Sequence, residues 1–170
     1  KSGTMISARH IATLASLGKY EMKVIRKPVI GIIATGDEIV EPWEMPSEEK
    51  IRNANGWQLI AQIERAGCTP IYKGIVKDNL KMIKNRIQDA ASECDIILLT
   101  GGVSMGDYDL GGKAVRDLGY DVLFDSVAVK PGKPTTFAVN NSGSERGKLL
   151  FGMPGNPFSV FVIFEIMVSP

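Results

Sequence analysis

Four large aliphatics in succession, Ile96-Ile97-Leu98-Leu99, run straight into Thr100-Gly101-Gly102-Val103-Ser104-Met105-Gly106-Asp107-Tyr108-Asp109. A short apolar run without polar alternation reads as a strand buried on both faces, which is the pattern of a central strand in a parallel sheet. Parallel strands need long crossover connections, usually helices, so this feature points to an α/β fold. The chain after the strand turns abruptly to small residues, hydroxyls and carboxylates. Glycine lets the backbone approach a ligand and leaves its N–H groups free to donate. The carboxyl end of a buried strand is also where open α/β sheets bind their ligands. The same stretch therefore points to both a fold class and a place for the site.

The rest of the chain can be read around that strand. Residues 1–27 form a lead-in, expected to come from a preceding domain, and residues 28–170 form the α/β domain. In the lead-in, Ile6, Ile11, Leu14 and Leu17 give a helical stripe that Gly18 can stop, while Tyr20, Met22 and Val24 alternate like a short edge strand. Strands are expected at Val29 to Ala34, Thr69 to Val76 and Ile96 to Leu99. Helices are expected from Gly56 to Ala66, from Leu80 to about Ala90 behind a cap at Asp78 or Asn79, and from Lys113 to Leu118. A polar excursion rich in Pro and Glu fills Glu41 to Arg52. Beyond Gly119 the spacing leaves no room for helices. Val122 to Phe124, Val127 to Val129 and Thr135 to Val139 read as short strands, and Asn140-Asn141-Ser142-Gly143 as a hairpin turn. A last strand at Lys148 to Phe151 precedes a helix from Pro157 to about Val168. Asn156 suits its N-cap, and the helix is apolar enough all round to be buried or covered by another domain or subunit. The architecture expected is a three-layer α/β domain, with a mostly parallel sheet, helices on both faces and a small antiparallel flap.

Four loops then fall on one edge of the sheet: 35–38, 77–79, 100–109 and 152–157. They bring Asp37, Glu38, Asp78, Asp107 and Asp109 toward one mouth, together with a glycine-rich turn and the helix start at Asn156. Carboxylates beside bare N–H groups suit a phosphorylated ligand held with a divalent cation such as Mg²⁺. Taken singly, Asp78 also reads as a helix cap, Asp37 as a turn residue and Gly101-Gly102 as a tight turn; it is their convergence that points to a site. No Cys/His cluster is available for zinc, and the single histidine, His10, lies in the lead-in, so a Ser-His-Asp triad is not expected. Lys130-Pro131-Gly132-Lys133-Pro134 is a second unusual piece: two prolines fix the backbone from which two lysines project, which reads either as a kinked edge between strands or as a rigid holder of cations facing an anion.

Composition narrows the partners. The 20 Lys and Arg residues nearly balance 19 Asp and Glu, giving a net charge of +1 and no basic excess that would call for nucleic acid or an anionic membrane surface. No apolar run reaches membrane-spanning length. Cys68 and Cys94 stand apart, as reduced thiols of a cytoplasmic protein do. The first residue is Lys1 and the last are Ser169-Pro170, so the chain is read as a domain of a longer protein.

In order and spacing, ATGDE at 34–38, KDN at 77–79, TGGVSMGDYD at 100–109, KPGKPTTFA at 130–138 and GMPGNPFSV at 152–160 resemble the molybdopterin molybdenumtransferase (MoeA/gephyrin-type) family. The resemblance covers residues 25–170 and implies a molybdopterin-binding domain that works on adenylylated molybdopterin and molybdate. Molybdenum enters the dithiolene, the pyrophosphate bond is cleaved and AMP leaves, with Mg²⁺ as the expected ion and a homodimer as the expected assembly. Matched motif by motif, Glu38, Asp78 and Asp109 look like the catalytic and metal-holding carboxylates. Thr100, Gly101, Gly102, Ser104 and Asp107 look like the pterin-phosphate cradle, with Gly155 and Asn156 lining the same pocket. Lys130 and Lys133 look like anion holders. Two positions depart from the family's usual pattern: Ser126 stands where a basic residue is common, and Asp107 where Glu is common. A molybdopterin adenylyltransferase, which shares the fold and the glycine loop, and a non-catalytic pterin-binding or assembly module are the alternatives. The competence-damage proteins, another related group, lack the KPGKP and PGNP combination.

Overall fold

Residues 3–101, 110–141 and 147–169 are described by the structure, a computed structural model. The buried aliphatic run forms β5 (Ile96–Thr100), which lies between β1 (Val29–Thr35) and β8 (Leu149–Met153) and is parallel to both. β4 (Thr69–Val76) adds in parallel outside β1, while β7 (Thr136–Asn140) and β6 (Tyr120–Phe124) follow β8 in antiparallel order. The six-stranded order is β4-β1-β5-β8-β7-β6. The chain thus moves outward from β1 to β4 and then returns to the other side of β1 for β5. That reversal opens a topological switch point between the carboxyl ends of β1 and β5.

Period-two alternation sorts the strand side chains into two cores. Ile33, Ile97, Leu99 and Leu150 pack against α3 (Leu80–Glu93) and α4 (Leu110–Asp117) through Ile83, Ile87, Ala90, Ala91, Ala114 and Val115. On the other face, Ile30, Ile32, Leu98, Phe151 and Met153 meet Leu59 and Ile63 of α2 (Ala54–Arg65), Val160 and Ile163 of α5 (Pro157–Ile163), and Phe164. The three layers and the mixed sheet match the expected architecture. Ile32, Ile33, Leu98 and Leu99 are fully buried, the setting in which truncation to Ala typically removes about 2–5 kcal/mol.

Several local expectations are corrected. Residues 20–24 form no strand; Tyr20, Met22 and Val24 are exposed and pair with nothing in either sheet. Val127 to Val129 is also not a strand: its recorded backbone bond, Val127 N–H to the Lys133 carbonyl at 3.0 Å, closes a local loop. The polar excursion is bracketed by an unexpected two-residue parallel pair, β2 (Ile39–Val40) just before it and β3 (Ile51–Arg52) at its end. The last helix changes to a π-helical turn over Phe164–Val168. It is buried on one side only, with Phe158, Phe161 and Ile166 exposed. The turn expected at 140–143 lies in a connection of which residues 142–146 are outside the described residues. Among the described residues, no helix is long and apolar enough to cross a membrane.

The lead-in helix α1 (Ala8–Ser16) buries none of its residues. The chain after it is fastened at Arg26, whose guanidinium pairs with both carboxylate oxygens of Asp95, while the Val29 N–H donates to Asp95 Oδ2 at 2.9 Å. The Arg26 hydrogen bond, first among several causes, pulls the Asp95 carboxyl down from 3.8 to about 2. A carboxylate depressed in the folded state stabilises the fold above its unfolded value and loses that contribution as the pH falls through its folded value. Asp95→Asn therefore lowers Tm above about pH 5, and the gap to the parent protein closes as the pH approaches about 2. Thermal unfolding across that range checks this.

Candidate functional site

At the switch point a crevice of about 80 Å³ opens between the ends of β1, β5 and β8 and the start of α2. Thr35 and Glu38 border it from the β1 side, Thr100 and Gly101 from β5, Gly155 and Pro157 from the loop after β8, and Arg52, Asn53 and Asn55 from the entry to α2.

Local chemistry explains each piece. Gly101 has φ +80°, and a Cβ there would overlap the Thr35 carbonyl oxygen, so only glycine lets β5 leave the sheet this close to β1. Thr35 Oγ1 reaches toward the Thr100 carbonyl at 3.4 Å across the same gap. Gly36, at φ +144°, leaves room for the Glu38 carboxylate to lie against the backbone where a Cβ would stand. The β2–β3 pair folds the excursion back onto this edge: Ile51 N–H donates to the Glu38 carbonyl and Asn53 N–H to the Val40 carbonyl, each at 2.8 Å.

The amino end of α2 is then held by side chains. Asn53 Oδ1 caps the helix by accepting from Gly56 N–H at 3.0 Å, and its Nδ2 donates to Tyr72 Oη at 2.7 Å. Tyr72 in turn donates to Glu41 Oε1 at 2.6 Å, and Trp57 Nε1 donates to Glu41 Oε2 at 3.2 Å. Burial, and next the hydrogen bond to Glu41, push the Tyr72 hydroxyl well above its ordinary value. One residue into the helix turn, Asn55 Nδ2 donates both to Thr100 Oγ1 at 3.0 Å and to the Gly155 carbonyl at 2.8 Å.

Beside the crevice lies an acidic group. Asp78 N–H donates to Asp37 Oδ1 at 3.4 Å, and the Gly36 N–H donates to the Val76 carbonyl at 3.2 Å, which joins the loops after β1 and β4. Burial, then the charges of Glu38 and Asp37, raise the Asp78 carboxyl above its ordinary value. Because that value is raised on folding, the ionised form works against the fold at neutral pH, and the penalty fades as the pH falls through the raised value. Asp78→Asn consequently raises the Tm at pH 7, with the two curves converging below about pH 4. Thermal scans across that range check this.

Of the residues expected at the site, Glu38, Thr100, Gly101 and Gly155 line the crevice, and Asp78 stands next to Glu38 in the acidic group. Asn156 is the N-cap of α5, accepting from Phe158 N–H at 2.9 Å and Ser159 N–H at 3.3 Å, and flanks Gly155 without lining the crevice. Asn79, not Asp78, caps α3, accepting from Met82 N–H at 3.1 Å. Lys130 and Lys133 are exposed on the segment between β6 and β7, where the Thr135 hydroxyl donates to the Gly132 carbonyl at 2.7 Å; neither lysine lines the crevice. Gly102, Ser104, Asp107 and Asp109 lie outside the described residues. Among the described residues, no group of three or more His, Cys, Asp or Glu is placed to hold a metal ion, so the three-carboxylate set Glu38, Asp78 and Asp109 has two members described. Asn53 and Asn55 were not expected. An asparagine ahead of a helical stripe is a cap signal, but placing the helix start at Gly56 instead of Ala54 left both outside the reading.

Fold and site define an open-sheet α/β domain with a crevice at its switch point, the place where such sheets bind ligands. Residues 31–170 match a family profile described as "Probable molybdopterin binding domain". The chain belongs to that family. A molybdopterin molybdenumtransferase of Bacillus subtilis is 41% identical over 168 residues, which cover 99% of this chain and 38% of the relative. Among solved structures, a molybdopterin biosynthesis MoeA protein from Pyrococcus horikoshii superposes with a TM-score of 0.83 at 32% identity, over 100% of this chain and 41% of that one. A tungsten cofactor synthesizing protein MoaB from Pyrococcus furiosus shares the fold, with a TM-score of 0.64 at 18% identity, over 86% of this chain and 93% of that one. The chain thus spans about two fifths of the length of the first two relatives.

Proposed function

We propose that this domain binds adenylylated molybdopterin in the crevice between β1, β5 and β8, and that within a longer enzyme it serves molybdenum insertion in molybdenum cofactor biosynthesis, with release of AMP. The observation that carries the reading is the crevice itself: a forced glycine turn at Gly101 and a carboxylate group at Glu38 and Asp78 meet at the switch point of a family that binds molybdopterin.

In this reading the N–H groups around Gly101 and Gly102 donate to the phosphate, with Thr100, Ser104 and Asp107 contributing to the cradle, Gly155 closing its far side and Asn156 fixing the start of α5 behind it. Glu38, Asp78 and Asp109 would hold Mg²⁺. An all-oxygen donor set fits that ion, and the like charges that raise Asp78 are the kind a cation relieves. Bound there, the ion neutralises charge at the phosphates. Lys130 and Lys133, free of burial, are the cations offered to molybdate, and anion and leaving phosphate alike draw on donors at the developing charge. In the same reading the enzyme works in the cytoplasm as a homodimer on small-molecule substrates; the near-balanced charge, net +1, supports the absence of a nucleic-acid partner.

The test uses the full-length enzyme with adenylylated molybdopterin and Mg²⁺, with and without molybdate, following AMP by chromatography. AMP release that rises with molybdate supports insertion. Formation of adenylylated molybdopterin from ATP and molybdopterin would replace this reading with the adenylyltransferase, and binding without any AMP release would replace it with a pterin-binding module.

A further inference from the structure

We propose that Asn55 is a positioning residue of the crevice, whose side-chain amide sets the distance between the loops that the ligand must enter; the ligand assignment rests on the function proposed above. Asn55 sits in the first turn of α2 and spans two strand ends, donating from Nδ2 to Thr100 Oγ1 at 3.0 Å and to the Gly155 carbonyl at 2.8 Å. The Gly155 carbonyl can only accept, which fixes Nδ2 on that side and turns Oδ1 the other way. Oδ1 is buried there and has no hydrogen-bond partner among the described residues.

That combination separates positioning from stability. Among the described residues, the gain from two hydrogen bonds is offset by a buried acceptor left unpaired, and the two effects are of similar size. A residue retained for the fold alone would be expected to have its whole amide paired. Thr100 is buried at the end of a central strand, whereas Gly155 is exposed in a loop. The Asn55 amide therefore ties an exposed loop to the buried end of a central strand at the place where a ligand must find both. Its neighbour Asn53 holds the helix start through the cap on Gly56 and the bond to Tyr72, so the amide projects from a fixed base.

The test is amide hydrogen exchange, thermal unfolding and molybdopterin titration on the parent chain, Asn55→Ala and Asn55→Asp. Asn55→Ala should keep Tm within about 2 °C of the parent. Its exchange at Gly101 and Gly155 should be about 10-fold faster, with Leu98 unchanged. Molybdopterin affinity should fall about 10-fold. Asn55→Asp keeps the size and the acceptor but loses the donor, and should show the same local loosening. Parent-like exchange at Gly155 in either variant would overturn the assignment. So would a large drop in Tm with exchange faster throughout, the signature of a merely structural residue. Failure of the parent chain to bind molybdopterin would count against the ligand assignment, while the exchange pattern still decides the role of Asn55.

Discussion

Replacing Gly101 by alanine is expected to remove about 3 kcal/mol of stability, lowering Tm by about 6–12 °C, and to abolish pterin binding at any temperature where the fold survives. Part of the effect is conformational, since φ +80° costs an L-residue about 1–2 kcal/mol. The rest is steric. The new methyl group would overlap the Thr35 carbonyl oxygen, and neither backbone can yield easily, because Ala34 and Thr100 are paired partners of β1 and β5. Relief requires the ends of both strands to part, and these ends form two walls of the crevice. Thermal unfolding and pterin titration of the variant measure the two consequences. A Tm within about 2 °C of the parent with intact binding would show that the turn is not forced as described.

Glu38→Gln is expected to lower Mg²⁺-dependent turnover about 100-fold or more, with Tm little changed. Glu38 is exposed and makes no side-chain hydrogen bond recorded among the described residues, so the fold loses nothing it needs. The glutamine keeps the shape against Gly36 and removes only the charge. With that charge gone, Asp78 is also relieved of one of the like charges that raise it, and its carboxyl should move back toward its ordinary value. The loss should appear in kcat more than in pterin affinity, because the carboxylate is assigned to the ion at the reacting phosphate and not to the pterin. Steady-state kinetics at saturating Mg²⁺ check this. Unchanged kcat would remove Glu38 from the reacting centre.

How much of this could be read from residues follows the length and periodicity of each element. β4 matches its expected bounds at Thr69 and Val76, and β5 extends its expected run by one residue, to Thr100. β5 announces itself through a run of apolar residues that a parallel sheet buries, whereas β4, at the sheet edge, buries only Val76 and shows itself by its β-branched and aromatic residues after Gly67. β2 and β3 have two residues each, too few to show any period, and stand at the two ends of a polar stretch. Tyr20, Met22 and Val24 have the alternation of a strand, but a strand also needs a partner to accept and donate its backbone hydrogen bonds, and among the described residues no strand pairs with them. The apolar pattern of the last helix continues through Val168, where the backbone has already widened to a π-helical turn; that turn is five residues long and buries only Phe164, too little for a change of period to show in the sequence. At the site, Glu38, Thr100, Gly101 and Gly155 were legible because strand-end loops in a parallel sheet share one edge. Asn55 was not, because its part depends on a first helical turn and on two partners 45 and 100 residues away.

The central claim, that the pterin enters at the switch point of the sheet, is tested most directly by mapping amide chemical-shift changes as molybdopterin is titrated into the isotope-labelled chain. The account predicts changes concentrated at Thr35, Glu38, Asn55, Thr100, Gly101 and Gly155, with little effect in the polar groove of Lys81, Lys84 and Gln88 between α3 and α4. Changes centred on that groove, or on the lead-in, with the strand ends silent, would contradict it.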